Sequence, residues 1–251
     1  MMSPKLPPAQ PGWAFFLDVD GTLLDLAETP DAVHVDAGLL NLLTHLHAAS
    51  GGALALVSGR SIADLDARIG HDAIPRAGQH GLERRAADGS LSRIQPPEAT
   101  MRHLDAVLTD LTLRYPALLL ERKGLTLALH YRRQPALAST VHRLVKAELA
   151  ALADPALELQ KGKYVLEIKP IGADKGTAIT AFLAEAPFAG RRPVFIGDDV
   201  NDEHGFAAVN RCDGLSIRVG LGRSCALYRL PNIEAVRAWL AGALEEKGNP
   251  T

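Results

Sequence analysis

Short apolar runs alternate with helical spacings over the first third of the chain, and the same rhythm returns over the last third. Trp13 to Leu17 and Ala53 to Val57 are brief, continuous and apolar, the pattern of strands buried on both faces of a parallel sheet. Between them Leu39, Leu40, Leu42, Leu43 and Leu46 recur at amphipathic-helix spacing, and Gly51-Gly52 closes that helix. A second helix is expected over Ile62 to Ile69, then strand ends around a glycine-flanked turn from Gly78 to Glu83. After Gly172 come a helix from Lys175 to Ala184, strands at Pro193 to Ile196 and Leu215 to Val219, and a last helix near Ile233 to Leu244. This β-α-β order predicts an α/β fold with a doubly wound, Rossmann-like core: a parallel sheet with helices on both faces.

Pro96-Pro97 interrupts that rhythm. A helix is expected over about Glu98 to Tyr115. Leu118 to Leu120 then meets Leu125 to Leu129 across Lys123-Gly124 as a hairpin. A second helix, Pro135 to Leu152, and a second hairpin, Leu157 to Leu159 with Tyr164 to Ile168 around Gly162, complete an inserted α+β unit. The expected organisation is a loose, proline-bearing tail at 1–12, a core at 13–95 and 171–251, and an insert at 96–170, with hinge positions near Pro96-Pro97 and Pro170 to Gly172.

Composition narrows the classes. The chain has 251 residues, 47% of them hydrophobic, enough for a sizeable core. A net charge of -2 gives no global basic surface for nucleic acid or anionic membrane. No apolar run approaches a bilayer span and the first twelve residues carry no signal-peptide pattern. Cys212 and Cys225 form neither a disulfide framework nor a metal-type pair with histidines, so reduced thiols in a cytoplasmic protein, taken as a monomer, are the expectation.

The candidate chemistry sits at the ends of these elements. Asp18 and Asp20, two apart and followed by Gly21, stop the first apolar run and share one side of an extended chain. Two carboxylates so placed repel unless a hard cation such as Mg2+ or a shared proton relieves them. A carboxylate kept ionised there can attack phosphorus while its partner moves the proton, and an Asp-x-Asp-Gly turn with no such role is the structural alternative. Val57-Ser58-Gly59-Arg60 offers a hydroxyl and backbone N–H groups for phosphate oxygens, or a helix cap. Lys175 opens a helix, where the dipole disfavours a cation, as suits a lysine beside a bound phosphate or one on a frayed end. Asp198 to Glu203 packs four acids into six residues after a buried-type strand, a sensible arrangement around Mg2+.

Taken in order, Asp18-Val19-Asp20-Gly21-Thr22, Ser58, Lys175 and Gly197-Asp198-Asp199 with Asp202 resemble the four motifs of the haloacid dehalogenase-like (HAD) phosphohydrolases. The resemblance implies a Mg2+-dependent phosphatase with Asp18 as nucleophile and Asp20 as general acid and base. It implies that Ser58 and Lys175 hold the phosphoryl group, that Asp198 completes a metal site shared with Asp18 and Asp20, and that Asp199 or Asp202 supports it. The insert resembles the class II cap of that superfamily. Ala77 to Glu83, Glu121 to Gly124, Ala128 to Arg132 and Glu167 to Pro170 are similar to the trehalose-phosphatase family. That similarity implies trehalose 6-phosphate as substrate, bound by Gly59, Arg60 and His80 and, through its sugar hydroxyls, by Glu121, Lys123, Arg132, Lys163 and Glu167. Val19 and Asn201 depart from the family pattern, which commonly has tyrosine and threonine there; neither change removes a catalytic group. The alternatives are a phosphatase for another sugar phosphate, such as sucrose phosphate or mannosyl-phosphoglycerate, and a catalytically silent sugar-phosphate-binding module. A nucleotide-binding protein would need a Gly-x-Gly-x-x-Gly or Walker loop after the first strand, and there is none.

Overall fold

The computed structural model describes residues 5–25, 35–70, 73–162 and 164–244. They divide into two compact units, one from Met1–Ser92 with Asp174–Thr251 and one from Arg93–Ala173.

In the first unit the chain runs β1 (Ala14–Leu17), α1 (Ala37–Ala49), β2 (Leu54–Val57), α2 (Ile62–Ile69), β3 (Arg76–Gly78), β4 (Glu83–Arg85) and β5 (Leu91–Arg93). In the second it runs α3 (Glu98–Arg114), β6 (Leu119–Arg122), β7 (Leu127–His130), α4 (Ala138–Leu152), β8 (Leu157–Gly162) and β9 (Val165–Pro170). The first unit resumes with α5 (Lys175–Leu183), β10 (Pro193–Gly197), α6 (Glu203–Asn210), β11 (Leu215–Val219), β12 (Tyr228–Leu230) and α7 (Ile233–Ala241).

The large sheet has the order β12-β11-β10-β1-β2-β3-β4-β5, parallel from β12 to β3 and antiparallel at β3-β4. The chain leaves β1 outward through β2 and β3 and returns to β10 on the other side, so the direction of winding reverses between β1 and β10. That switch point is where an open α/β sheet leaves a crevice at its carboxyl ends.

Side chains alternate across the sheet because successive strand residues face opposite sides. Phe15, Leu17, Leu54, Leu56, Val194 and Ile196 join Leu39, Leu43 and Leu46 of α1 and Val236 and Leu240 of α7. Ala14, Phe16, Val57 and Phe195 join Ile179 and Phe182 of α5 and Phe206 of α6 on the other face. Each fully buried Phe, Leu or Ile contributes about 1.5–3 kcal/mol, so both faces of β1 hold its carboxyl end in place.

Residues 5–12, expected to be a loose tail, are tied down. Ala9 is buried, and the Trp239 indole N–H donates to the Pro7 carbonyl at 2.9 Å. Trp239 also stacks on Trp13, ring centroids 6.4 Å apart. Two residues before it on α7, Arg237 donates to the Leu23 carbonyl at 2.8 Å and pairs with Asp36 at 2.7 Å.

In the second unit the sheet β6-β7-β9-β8 is antiparallel throughout. Leu127, Leu129, Leu166 and Ile168 pack with Leu104, Leu108 and Leu111 of α3 and Val141 and Val145 of α4. The alternate positions form a cross-strand row, Glu121 beside Ala128 beside Glu167 beside Gln160. Among the described residues no helix is long and apolar enough to cross a membrane.

Candidate active site

Asp18 follows β1 directly, and its N–H still donates to the Ile196 carbonyl of β10 at 3.0 Å, which keeps it in register at the switch point. Its carboxylate is buried and its Oδ1 lies 2.7 Å from Lys175 Nζ. Lys175 is the first residue of α5 and, far from being frayed, is buried behind a capping box in which Asp174 accepts from the Thr177 N–H at 2.7 Å. Its ammonium also donates to Asp202 Oδ1 at 2.6 Å. Burial opposes the lysine charge, but Asp18 and Asp202 outweigh it and push the Lys175 pKa up.

Asp202 spends its other oxygen on the loop it belongs to, accepting from the Asp198 N–H at 2.9 Å and the Asp199 N–H at 2.8 Å. Asp199 in turn caps the single turn Val200–Asp202 and is exposed. The loop therefore closes on itself and brings Asp198, Asp18 and Asp202 together, their ligand atoms all within 4.8 Å of one another.

Three carboxylates face one ammonium there, an excess of two negative charges. Burial pushes Asp18 well above the usual carboxylate range; Lys175 counters this and the charges of Asp202 and Asp198 add to it. Asp198 is pushed up to about 6 by burial and by the charges of Asp202 and Asp199. All-oxygen donors with a surplus of two charges fit a hard divalent cation. Gly21 keeps the cradle open: its φ is +77°, and a Cβ there would lie 2.2 Å from Asp198 Oδ2.

Asp20 does not join that group. Its two oxygens are chelated by Arg60, Nε to Oδ2 at 2.7 Å and Nη2 to Oδ1 at 2.7 Å, and Arg60 Nη1 reaches Asp64 Oδ2 at 2.6 Å. Arg60 stands in the loop after β2, where buried Ser58 accepts the Arg60 N–H on its Oγ at 3.1 Å. The cap of α2 belongs to Ser61, which accepts from the Asp64 N–H at 3.1 Å, so Ser58 is not the helix cap. His80, at φ 58°, lays its ring against Gly59, where a Cβ would come within 2.7 Å of His80 Cε1. Glu83, buried at the start of β4, accepts from the Ile62 N–H at 2.6 Å and so holds the first turn of α2.

In the second unit, Glu167 is buried on β9, accepts from Thr126 Oγ1 at 2.6 Å and lies 3.6 Å from Lys123 Nζ. Glu121 on β6 pairs with His130 Nε2 at 2.8 Å, and Arg132 is exposed just after β7. Lys163 lies outside the described residues. Sequence reasoning passed over Thr126, His130 and Asp64. Strand parity was the available signal for Thr126, two residues from Ala128, and the i, i+4 spacing from Arg60 was the signal for Asp64.

A parallel sheet with a buried aspartate, a lysine and an acidic loop converging at its switch point defines a phosphohydrolase of the HAD class. A solved phosphatase of that superfamily from Bacteroides thetaiotaomicron shares the fold with a TM-score of 0.63 at 17% identity, over 97% of this chain and 100% of that one. The sequence model described as Trehalose-phosphatase matches residues 16–226, and the chain belongs to that family. Trehalose-6-phosphate phosphatase of Escherichia coli (strain K12) is 44% identical over 242 residues, 94% of this chain and 89% of that protein. The solved C-terminal domain of Candida albicans trehalose-6-phosphate phosphatase superposes with a TM-score of 0.80 at 21% identity, over 92% of this chain and 91% of that domain.

Proposed function

We propose that this chain is a Mg2+-dependent phosphomonoesterase that hydrolyses trehalose 6-phosphate to trehalose and phosphate through an aspartyl-phosphate on Asp18. The observation that carries the reaction is the contact between the buried Asp18 carboxylate and Lys175 at the switch point of the sheet. The E. coli relative's name supports the choice of sugar.

Asp18 attacks phosphorus, and Asp20 gives its proton to the sugar oxygen as the P–O bond breaks. Asp20, now a carboxylate, then takes a proton from the water that attacks the aspartyl-phosphate, which returns Asp18 as carboxylate and releases phosphate. Lys175 holds Asp18 in the attacking position and offsets charge on the phosphoryl oxygens, and the Ser58 hydroxyl and nearby backbone N–H groups orient those oxygens. Asp18 and Asp198 would hold the Mg2+, since Asp202 is already committed to Lys175 and to the loop amides. When bound there, a divalent cation would supply positive charge to offset that of the phosphoryl group. In the second unit Glu121, Lys123, Arg132, Lys163 and Glu167 recognise sugar hydroxyls, which need charged donors and acceptors because a disaccharide offers little apolar area.

Phosphate release from trehalose 6-phosphate, glucose 6-phosphate and sucrose 6-phosphate, with Mg2+ and with chelator, tests the reading. Trehalose 6-phosphate is expected to be turned over fastest, and only with the cation. Equal rates on glucose 6-phosphate and trehalose 6-phosphate would remove the disaccharide, and full activity in chelator would remove the metal.

A further inference from the structure

We infer that Arg60, anchored from behind by Asp64, is a positioning residue for Asp20: it fixes the plane of the carboxyl group that passes the proton to the departing oxygen. The inference rests on the reading of Asp20 as general acid and base.

Three observations converge on it. First, the pair is bidentate, with both Asp20 oxygens at 2.7 Å from guanidinium nitrogens. A fork of this kind fixes rotation as well as distance, which a single contact would not. Second, the guanidinium is itself held. Nη1 donates to Asp64 at 2.6 Å, and Asp64 also accepts from Arg68 Nε at 2.8 Å, one turn along α2. The Arg60 backbone is pinned at both ends, its N–H on Ser58 Oγ at 3.1 Å and its carbonyl on the Gln79 N–H at 2.8 Å. Third, the Arg60 side chain is 10% exposed and that of Asp20 28%, so the guanidinium side of the fork is shielded from the solvent that weakens surface pairs while the carboxylate keeps one side open to a reacting group. The Asp20 backbone is already fixed by its bridge to Leu24, and the side-chain torsions are the freedom that Arg60 removes. With both oxygens accepting from the guanidinium, Asp20 is in the ionised form that takes the proton from water, and carrying the proton for the leaving oxygen means releasing one of the two N–H contacts while the other keeps its orientation. In either form a small rotation out of line costs much of the effect, because proton transfer requires hydrogen-bond geometry to the reacting oxygen.

Phosphate esters that carry no sugar isolate this role. Phenyl phosphate has a poor leaving group that needs a proton as the P–O bond breaks, while p-nitrophenyl phosphate has a good one that needs it much less. In Arg60→Ala the ratio of kcat on phenyl phosphate to kcat on p-nitrophenyl phosphate should fall by about 10-fold, a fraction of what a general acid supplies in full. Arg60→Lys, which keeps the charge without the fork, should recover part of that ratio, and Asp64→Asn should lower it in the same sense by less. In an Asp20→Asn background, adding Arg60→Ala should leave the ratio where it is. If Arg60 contacts substrate instead, both esters lose rate or gain KM together and the ratio stays at the parent value, which overturns the inference. If Asp20→Asn itself does not lower the ratio, it is the assignment of Asp20 that fails. Both measurements work on folded protein, and Arg60→Lys supplies the answer if Arg60→Ala does not fold.

Discussion

Lys175 Nζ lies 2.7 Å from Asp18 Oδ1, both groups buried, and the same ammonium reaches Asp202 at 2.6 Å. One cation thus ties the Asp18 carboxylate to the loop that carries Asp198, so that α5, β1 and the loop after β10 are held by a single side chain.

Lys175→Met should abolish turnover and destabilise the protein by about 3–5 kcal/mol, because it leaves two buried carboxylates without their cation. The folded-state pKa of Lys175 is raised. Its contribution is therefore fully present below the ordinary lysine range and fades only as pH rises above it. The deficit should be evident in urea unfolding at both pH 7 and pH 8, and a variant as stable as the parent at those values would contradict this account.

Gly21→Ala places a methyl group where Asp198 Oδ2 now sits and asks alanine to adopt a φ of +77°. The backbone penalty alone is about 1–2 kcal/mol. The more telling effect is on Asp198, which must move: the Mg2+ concentration for half-maximal activity should rise at least about 10-fold. An unchanged Mg2+ titration would show that Asp198 is not a ligand.

Glu167→Ala removes the acceptor of Thr126 and the partner of Lys123. Use of trehalose 6-phosphate, read as kcat/KM, should drop by about 10-fold or more, the usual scale for losing a charged hydrogen-bond partner, while phenyl phosphate changes little. A loss of the same size on phenyl phosphate would mean that Glu167 supports the fold and not the sugar.

Cys225 is held as a thiol. The residue is exposed, yet local desolvation of its sulfur and the neighbouring Glu203 carboxylate push the thiol up to about 11. Its alkylation by iodoacetamide, followed by mass spectrometry, should rise with pH toward an inflection near that value, and Glu203→Gln should move the inflection down. An inflection near the ordinary thiol value of about 8.5 would refute the role given to Glu203.

What was readable in the sequence was what is locally encoded. The α2 boundaries fall where the spacing of Ile62, Leu65 and Ile69 puts them, because the apolar stripe lies within one stretch of chain; the cap was sought at Ser58 and is Ser61. The position of Lys175 was legible as an oddity, a cation at a helix start, and its partners explain it. Helix α6 was missed because its start lies inside an acidic run and Gly205 interrupts it. That glycine is there for packing, since a Cβ would come within 2.3 Å of the Phe195 ring. Strand β12 was missed because the alternation Tyr228-Arg229-Leu230 is only three residues long, too short to stand out from the surrounding loop. The union of Asp20 with Arg60 spans 40 positions in sequence, and no local pattern announces it. Likewise Pro7 and Ala9 looked like tail because their partner, Trp239, lies 232 positions away from Pro7.

The stack of Trp13 on Trp239 has a practical meaning. These are the chain's only two tryptophans, so its indole fluorescence comes from a single spot. That spot is wired to the loop bearing the acid pair, since Arg237 on the same helix holds the Leu23 carbonyl. The protein therefore carries its own optical probe. Emission recorded during a cation titration or during unfolding reads the state of the catalytic unit and contains no tryptophan signal from the inserted one.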